Sequence, residues 1–148
     1  MKAPGLLRRS AAFTLLELMI VLAIVAVLAA WGVPSYREHV ARMHRASAVA
    51  ALYRAAQYLE TLDGPAPQTL PDAYAQAPPD GQAIYRVGLK RSVGDDAQVV
   101  YELVANPLEA GPMRADACGA FTLRSDGTKG NTGDAASETL ERTCWGVR

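Results

Sequence analysis

Residues Phe13 to Val33 are apolar almost without interruption, and only Thr14 and Glu17 among these 21 positions are plainly polar. As a helix rising ~1.5 Å per residue the run is about 31 Å long, the thickness of a bilayer's hydrocarbon core. Pro34 ends the run and is expected to kink the helix, because it has no N–H for the carbonyl four residues back. Helical periodicity resumes over 35–62. Val40, His44, Ser47, Ala48, Ala51, Leu52, Ala55, Tyr58, Leu59 and Leu62 recur at three- and four-residue steps and make one face. Arg37, Glu38, Arg45, Arg54 and Glu60 are assigned mostly elsewhere on the helix. An alanine-rich stripe of this kind predicts a sheet packed close to the helix axis. Asp63-Gly64-Pro65 supplies the stop, so 13–62 reads as one long kinked helix, membrane-embedded in its first half and amphipathic in its second.

Beyond the helix the pattern changes. Gly64 to Gly81 holds prolines at 65, 67, 71, 78 and 79 with no periodicity, so 63–82 reads as a surface loop. Residues 83–90 then alternate, with Tyr85, Val87 and Leu89 on one face, and 97–104 alternate again, with Val99, Tyr101 and Leu103 together. Residues 119–124 make a third strand turned at Ser125-Asp126-Gly127, and 139–145 a fourth after a Gly/Asn-rich loop at 127–135. Sequential, turn-linked strands predict an antiparallel sheet of about four strands packed on the helix stripe over 83–148, an α+β layer arrangement.

Charge sharpens the picture. The chain carries 15 basic and 15 acidic residues, but Lys2, Arg8 and Arg9 precede the apolar run while no acid does. That asymmetry keeps the N-terminus cytoplasmic and sends the rest across the membrane. Cys118 and Cys144 then lie in an oxidising compartment and can pair, whereas their spacing does not suit a four-ligand zinc site. Glu17 is the anomaly. A carboxylate at mid-bilayer costs roughly 2.5–3.5 kcal/mol on insertion scales, so it calls for a partner or a job. Lying at the headgroup level and snorkelling is the plainer alternative. No catalytic constellation is evident: His39 and His44 are off the i, i+4 spacing of helical metal pairs, and Asp126 to Asp134 lacks the spacing of a calcium loop. No cofactor, metal or small-molecule substrate is expected.

Residues 1–12, short and basic, read as a processing segment, and two schemes compete. A secretory signal would be cut near Ala29 or Ala30; the other scheme cuts before the apolar run and retains it. The length of the run, Glu17 within it and the helix continuing past Ala29 favour the second.

The stretch Phe13-Thr14-Leu15-Leu16-Glu17-Leu18-Met19-Ile20-Val21-Leu22-Ala23-Ile24-Val25 resembles the N-terminal signature of type IV pilins. The resemblance implies cleavage between Ala12 and Phe13 by a prepilin peptidase, N-methylation of Phe13, and an assembly role for Glu17. The family usually has glycine before the cut; this chain has Ala12, the smallest substitute. It also implies a pilin-like fold with a C-terminal disulfide loop between Cys118 and Cys144, 13–33 as transmembrane and assembly helix, and 34–148 as an extracytoplasmic domain. Expected partners are other pilin subunits, the prepilin peptidase and an inner-membrane assembly platform, with residence in the inner membrane and then on an extracellular pilus of a Gram-negative-type bacterium. Glu17 of one subunit would meet the Phe13 amine of a staggered neighbour, and Pro34 would shape the assembling helix.

The Cys118 to Trp145 region looks most like the minor-pilin branch that includes competence pilins. A minor structural subunit is therefore the leading reading. A DNA-uptake receptor is the binding-class alternative, with Arg86, Lys90 and Arg91 as candidate DNA contacts beside the plainer reading of a solvated face. A type II secretion pseudopilin is the other, disfavoured by the cysteine pair. An anchored enzyme has nothing beyond the anchor to support it.

Overall fold

In the computed structural model, residues 13–64, 67–93, 99–133 and 143–146 are described. One helix, α1 (Leu15–Glu60), is followed by five strands: β1 (Gln76–Ala77), β2 (Tyr85–Val93), β3 (Val99–Pro107), β4 (Phe121–Arg124) and β5 (Lys129–Asn131). The chain divides into two compact units, one up to Glu38 and one from His39. In the first, every described side chain is exposed, including Phe13, Leu16, Leu22 and Leu28. An apolar helix with nothing covering it is stable only in an apolar medium or against other helices, and α1 is long and apolar enough to cross a membrane. The helix runs on through Pro34, which removes one hydrogen bond to the Ala30 carbonyl without ending it.

The second unit is built on a meander. All four strand pairs are antiparallel and the spatial order is the chain order, β1-β2-β3-β4-β5. The sheet thus has five strands where the alternation pattern predicted about four. The two short additions hide in segments read as loops: β1 in the proline-rich stretch, β5 in the Gly-rich one. Two and three residues are too few for a period-2 signal to register. The expected strand at 139–145 is not there in its described part, since 143–145 form a helical turn; the rest of it lies outside the described residues, as does the expected turn at 94–96.

Ala48, Ala51, Leu52, Ala55 and Leu59 of α1 face Tyr85, Val87, Leu103, Ala105, Phe121 and Leu123, with Met113, the disulfide and Trp145 completing the core. Small residues on the helix were expected to draw the sheet inward. The space they leave is filled instead by aromatic rings. Tyr85 meets Phe121 edge-on at 6.0 Å between centroids, and Phe121 meets Trp145 edge-on at 5.7 Å, the geometry that ring quadrupoles favour. Cys118 is bonded to Cys144 across 26 positions, a closure that stabilises by about 3–4 kcal/mol in the loop-entropy account. Trp145 is held beside it by an Nε1–H donated to Asn131 Oδ1 at 2.8 Å.

Arg45 departs from its sequence assignment. It sits inside, 8 % exposed, at helical spacing from Ala48, Leu52 and Ala55. Its Nε donates to both Asp116 carboxylate oxygens at 3.1 Å and its Nη2 to Oδ1 at 2.6 Å. Asp116 Oδ2 also accepts the Cys118 N–H at 3.2 Å. The fork ties α1 to the segment leading into the disulfide, and charge alone had argued for placing it outside.

Breaking one side of a buried pair leaves the other charge uncompensated. Asp116→Ala is expected to destabilise the protein by about 3–5 kcal/mol, whereas Arg45→Met with Asp116→Leu should recover most of that loss. Denaturant unfolding of the three forms measures both.

Candidate functional site

Two sets of residues bear on function, one at the helix start and one on the sheet. At the start, Thr14 caps α1: its Oγ1 accepts the Glu17 N–H at 3.1 Å and its carbonyl the Leu18 N–H at 3.2 Å. Thr14-Leu15-Leu16-Glu17 has the spacing of a capping box, which the sequence reading overlooked. Glu17 therefore has a local use as a carboxylate in the first turn, where the helix dipole favours negative charge. Phe13 precedes it, 74 % exposed. Ala12 lies outside the described residues.

On the sheet, the pleat sorts the basic residues. Tyr85 and Val87 point into the core, so Arg86 and Lys90 stand on the opposite, outer face, both exposed. Arg91 is exposed too but has the inward parity, opposite Tyr101 in register. It does not share the face of the other two. A residue that the sequence reading missed does: Arg124 of β4 is exposed and in register with Glu102, which is itself in register with Lys90. Its signal was available, since Phe121 and Leu123 point inward and leave Thr122 and Arg124 outward.

The outer face has a plain geometry. Gly88, Val104, Thr122 and Gly130 form one row across β2 to β5, a floor of short side chains in which Val104 is only 4 % exposed. Gly130 cannot be larger without moving Thr122, whose Oγ1 would lie 2.7 Å from an added Cβ. Arg86 and Asn106 stand along one side of this floor, and Lys90, Glu102 and Arg124 along the other. Arg86 and Lys90 are about 13 Å apart along the strand, and Lys90 and Arg124 about 10 Å apart across two strand spacings. The arrangement is a shallow trough edged by three cations and one acid.

The turn between β4 and β5 is closed on itself. The Asp126 carboxylate accepts hydrogen bonds from the Thr128 side chain and from its N–H, the latter at 2.8 Å, which together lower its pKa, and Gly127 takes the positive φ of 83° that the turn requires. Lys129 then turns inward over the Tyr53 and Trp145 rings, at 5.8 and 5.6 Å from their centroids. Among the described residues no three metal-ligating side chains converge.

A helix apolar in its first half, with its amphipathic second half packed on an antiparallel meander and a disulfide towards the C-terminal end, is the architecture of a type IV pilin. Residues 7–33 match the prokaryotic N-terminal methylation motif. Residues 34–122, more than half the chain, match the family described as type IV minor pilin ComP, DNA uptake sequence receptor, and the chain belongs to that family. The type IV major fimbrial protein FimA of Dichelobacter nodosus is 51 % identical over 37 residues, covering 25 % of this chain and 23 % of that one. A fimbrial protein of the same organism matches to the same extent. The chain thus spans about a quarter of the length of these relatives.

Tyr85 carries a consequence of its burial. Its hydroxyl is buried without a hydrogen-bond partner, and burial, reinforced by the Asp116 charge, pushes its pKa well above the usual 10. The unfolded chain ionises at 10 and the folded one later, so stability should hold below pH 10 and fall as pH rises past it. Tyr85→Phe should flatten that alkaline decline and, by removing an orphaned hydroxyl, leave stability at pH 7 unchanged or raise it by up to about 1 kcal/mol. Thermal melts from pH 7 to 11 read both effects.

Proposed function

We propose that the protein is a minor subunit of a type IV pilus that captures DNA at the cell surface. Its leader, residues 1–12, is removed between Ala12 and Phe13 by a prepilin peptidase, and the new Phe13 terminus is methylated. Residues 13–33 hold the subunit in the inner membrane of a Gram-negative-type cell until an assembly platform moves it into the filament. Residues 34–148 then face the outside. The protein acts by polymerising and binding, with no catalysis of its own.

Assembly rests on Glu17. Cleavage creates an α-ammonium at Phe13, and staggered helices bring it to Glu17 of the adjacent subunit. An unpaired charge among apolar helices is costly, so the pair fixes register. Glu17→Leu is expected to leave the helix intact but abolish incorporation into filaments, read by immunoblotting sheared pili. Wild-type incorporation by that variant would remove the proposed role.

The observation that carries the DNA reading is the basic-edged trough, whose Arg86 and Lys90 lie within the stretch matching the uptake-receptor family while Arg124 follows it by two residues. Phosphate neutralisation releases counterions, so each contact steepens the salt dependence of binding by about 0.9 in log–log slope. Arg86→Gln, Lys90→Gln and Arg124→Gln together should reduce that slope by about 2–3 and weaken binding at every sequence. Arg91→Gln should change it little. Fluorescence anisotropy of labelled duplex DNA with the full detergent-solubilised chain, over a potassium chloride series, measures this. No binding by the unaltered protein at low salt overturns the reading.

A further inference from the structure

Gln57 and Tyr58 lie three and four residues after Arg54 and share its flank of α1, with Thr61 just past the helix end continuing that flank. Together with Ala73 and Tyr74 of a short 3-10 turn (Asp72–Tyr74) they line an open recess of about 460 Å³, within the range of ordinary ligand clefts. Tyr58 and Tyr74 stack at 4.5 Å between centroids, 18° from parallel. The Thr61 hydroxyl donates to the Tyr58 carbonyl at 2.7 Å, which pins the lower end of the stripe. None of the lining residues is acidic. Arg54 nevertheless contributes a full positive charge, and its Nη2 is buried with no hydrogen-bond partner. A guanidinium unmatched in a recess that also offers the Gln57 amide is built to receive an oxyanion, because leaving such a donor unsatisfied is costly.

The position of the recess says which oxyanion. On the other side of the same turn, Asp72, Gln76 and Arg86 line a second cleft. Arg86 is in register with Gln76, only two residues after Tyr74. The cation at the edge of the sheet trough and the cation of the recess therefore flank a single turn of chain. A polyanion that rounds the β1 edge from Arg86, past Asp72 of this turn, reaches the recess that Arg54 lines. The geometry points to the Arg54 recess as a phosphate pocket that grips the DNA backbone beyond the trough. This rests on the DNA-binding reading given above.

The test uses the full chain in detergent, fluorescein-labelled duplex DNA and a potassium chloride series. Two variants address the recess. Arg54→Gln removes the cation, and Gln57→Glu keeps it but supplies a carboxylate three residues along the same face. Each is expected to weaken binding at low salt about tenfold and to lower the log–log salt slope by about 0.9. Unchanged thermal midpoints show that the fold is intact, and the second variant retains the arginine arm should the first not fold. Wild-type affinity and slope for both, with loss for the Arg86, Lys90 and Arg124 variant, overturn the pocket while the DNA reading stands. Wild-type DNA binding combined with failure to enter filaments assigns the recess to a neighbouring subunit's carboxylate and equally overturns it. Absence of DNA binding by the unaltered protein removes both.

Discussion

Alanine on one helix face is the constraint on which the folded half of this protein depends. Ala48, Ala51 and Ala55 leave α1 little side-chain bulk around Leu52 where it meets the sheet, and Tyr85, Phe121 and Trp145 take up the room. Aromatic rings bring large apolar area at little rotamer entropy, and edge-on contacts order them. A leucine-rich stripe would have filled the same layer with aliphatic groups and left no place for the rings. The choice of small residues on one element thus dictates large ones on the other, and the strand register follows from which residues must point inward.

The Arg45–Asp116 fork belongs to the same layer and adds direction to it. Apolar contacts tolerate sliding; a guanidinium bonded to both oxygens of one carboxylate does not. Because Asp116 also takes the Cys118 N–H, the fork sets the helix against the segment that enters the disulfide. The outer face of the sheet is organised by opposite means. Its central row is short, Arg86, Lys90 and Arg124 are exposed, and the half-buried Glu102 lies in register between Lys90 and Arg124.

Much of this was legible in the residues because long patterns report themselves. The apolar run from Phe13, the stripe through Ala48 and Leu59, and the alternation around Tyr85 and Leu103 each extend over enough positions for one period to win. What escaped was short or hidden by chemistry. β1 and β5 are too brief for alternation, and the prolines and glycines around them speak for loops. Arg45 has the right helical phase for the core, but its charge argued for solvent, and only the distant Asp116 reverses that. Thr14 was read for its place in an apolar run and not for the cap it provides. Arg124 shares the outward parity of Arg86 and Lys90 whereas Arg91 does not, because an odd step along β2 turns a side chain to the other face.

The cysteine bridge has a mechanical meaning. A subunit loaded through its helix can lengthen only where the chain is free to pay out. Joining Cys118 to Cys144 withholds the chain between them, a separation of 26 positions or about 90 Å of extended backbone, from any such stretching. Whatever tension reaches the C-terminal end must be borne by non-covalent ties ahead of the bridge.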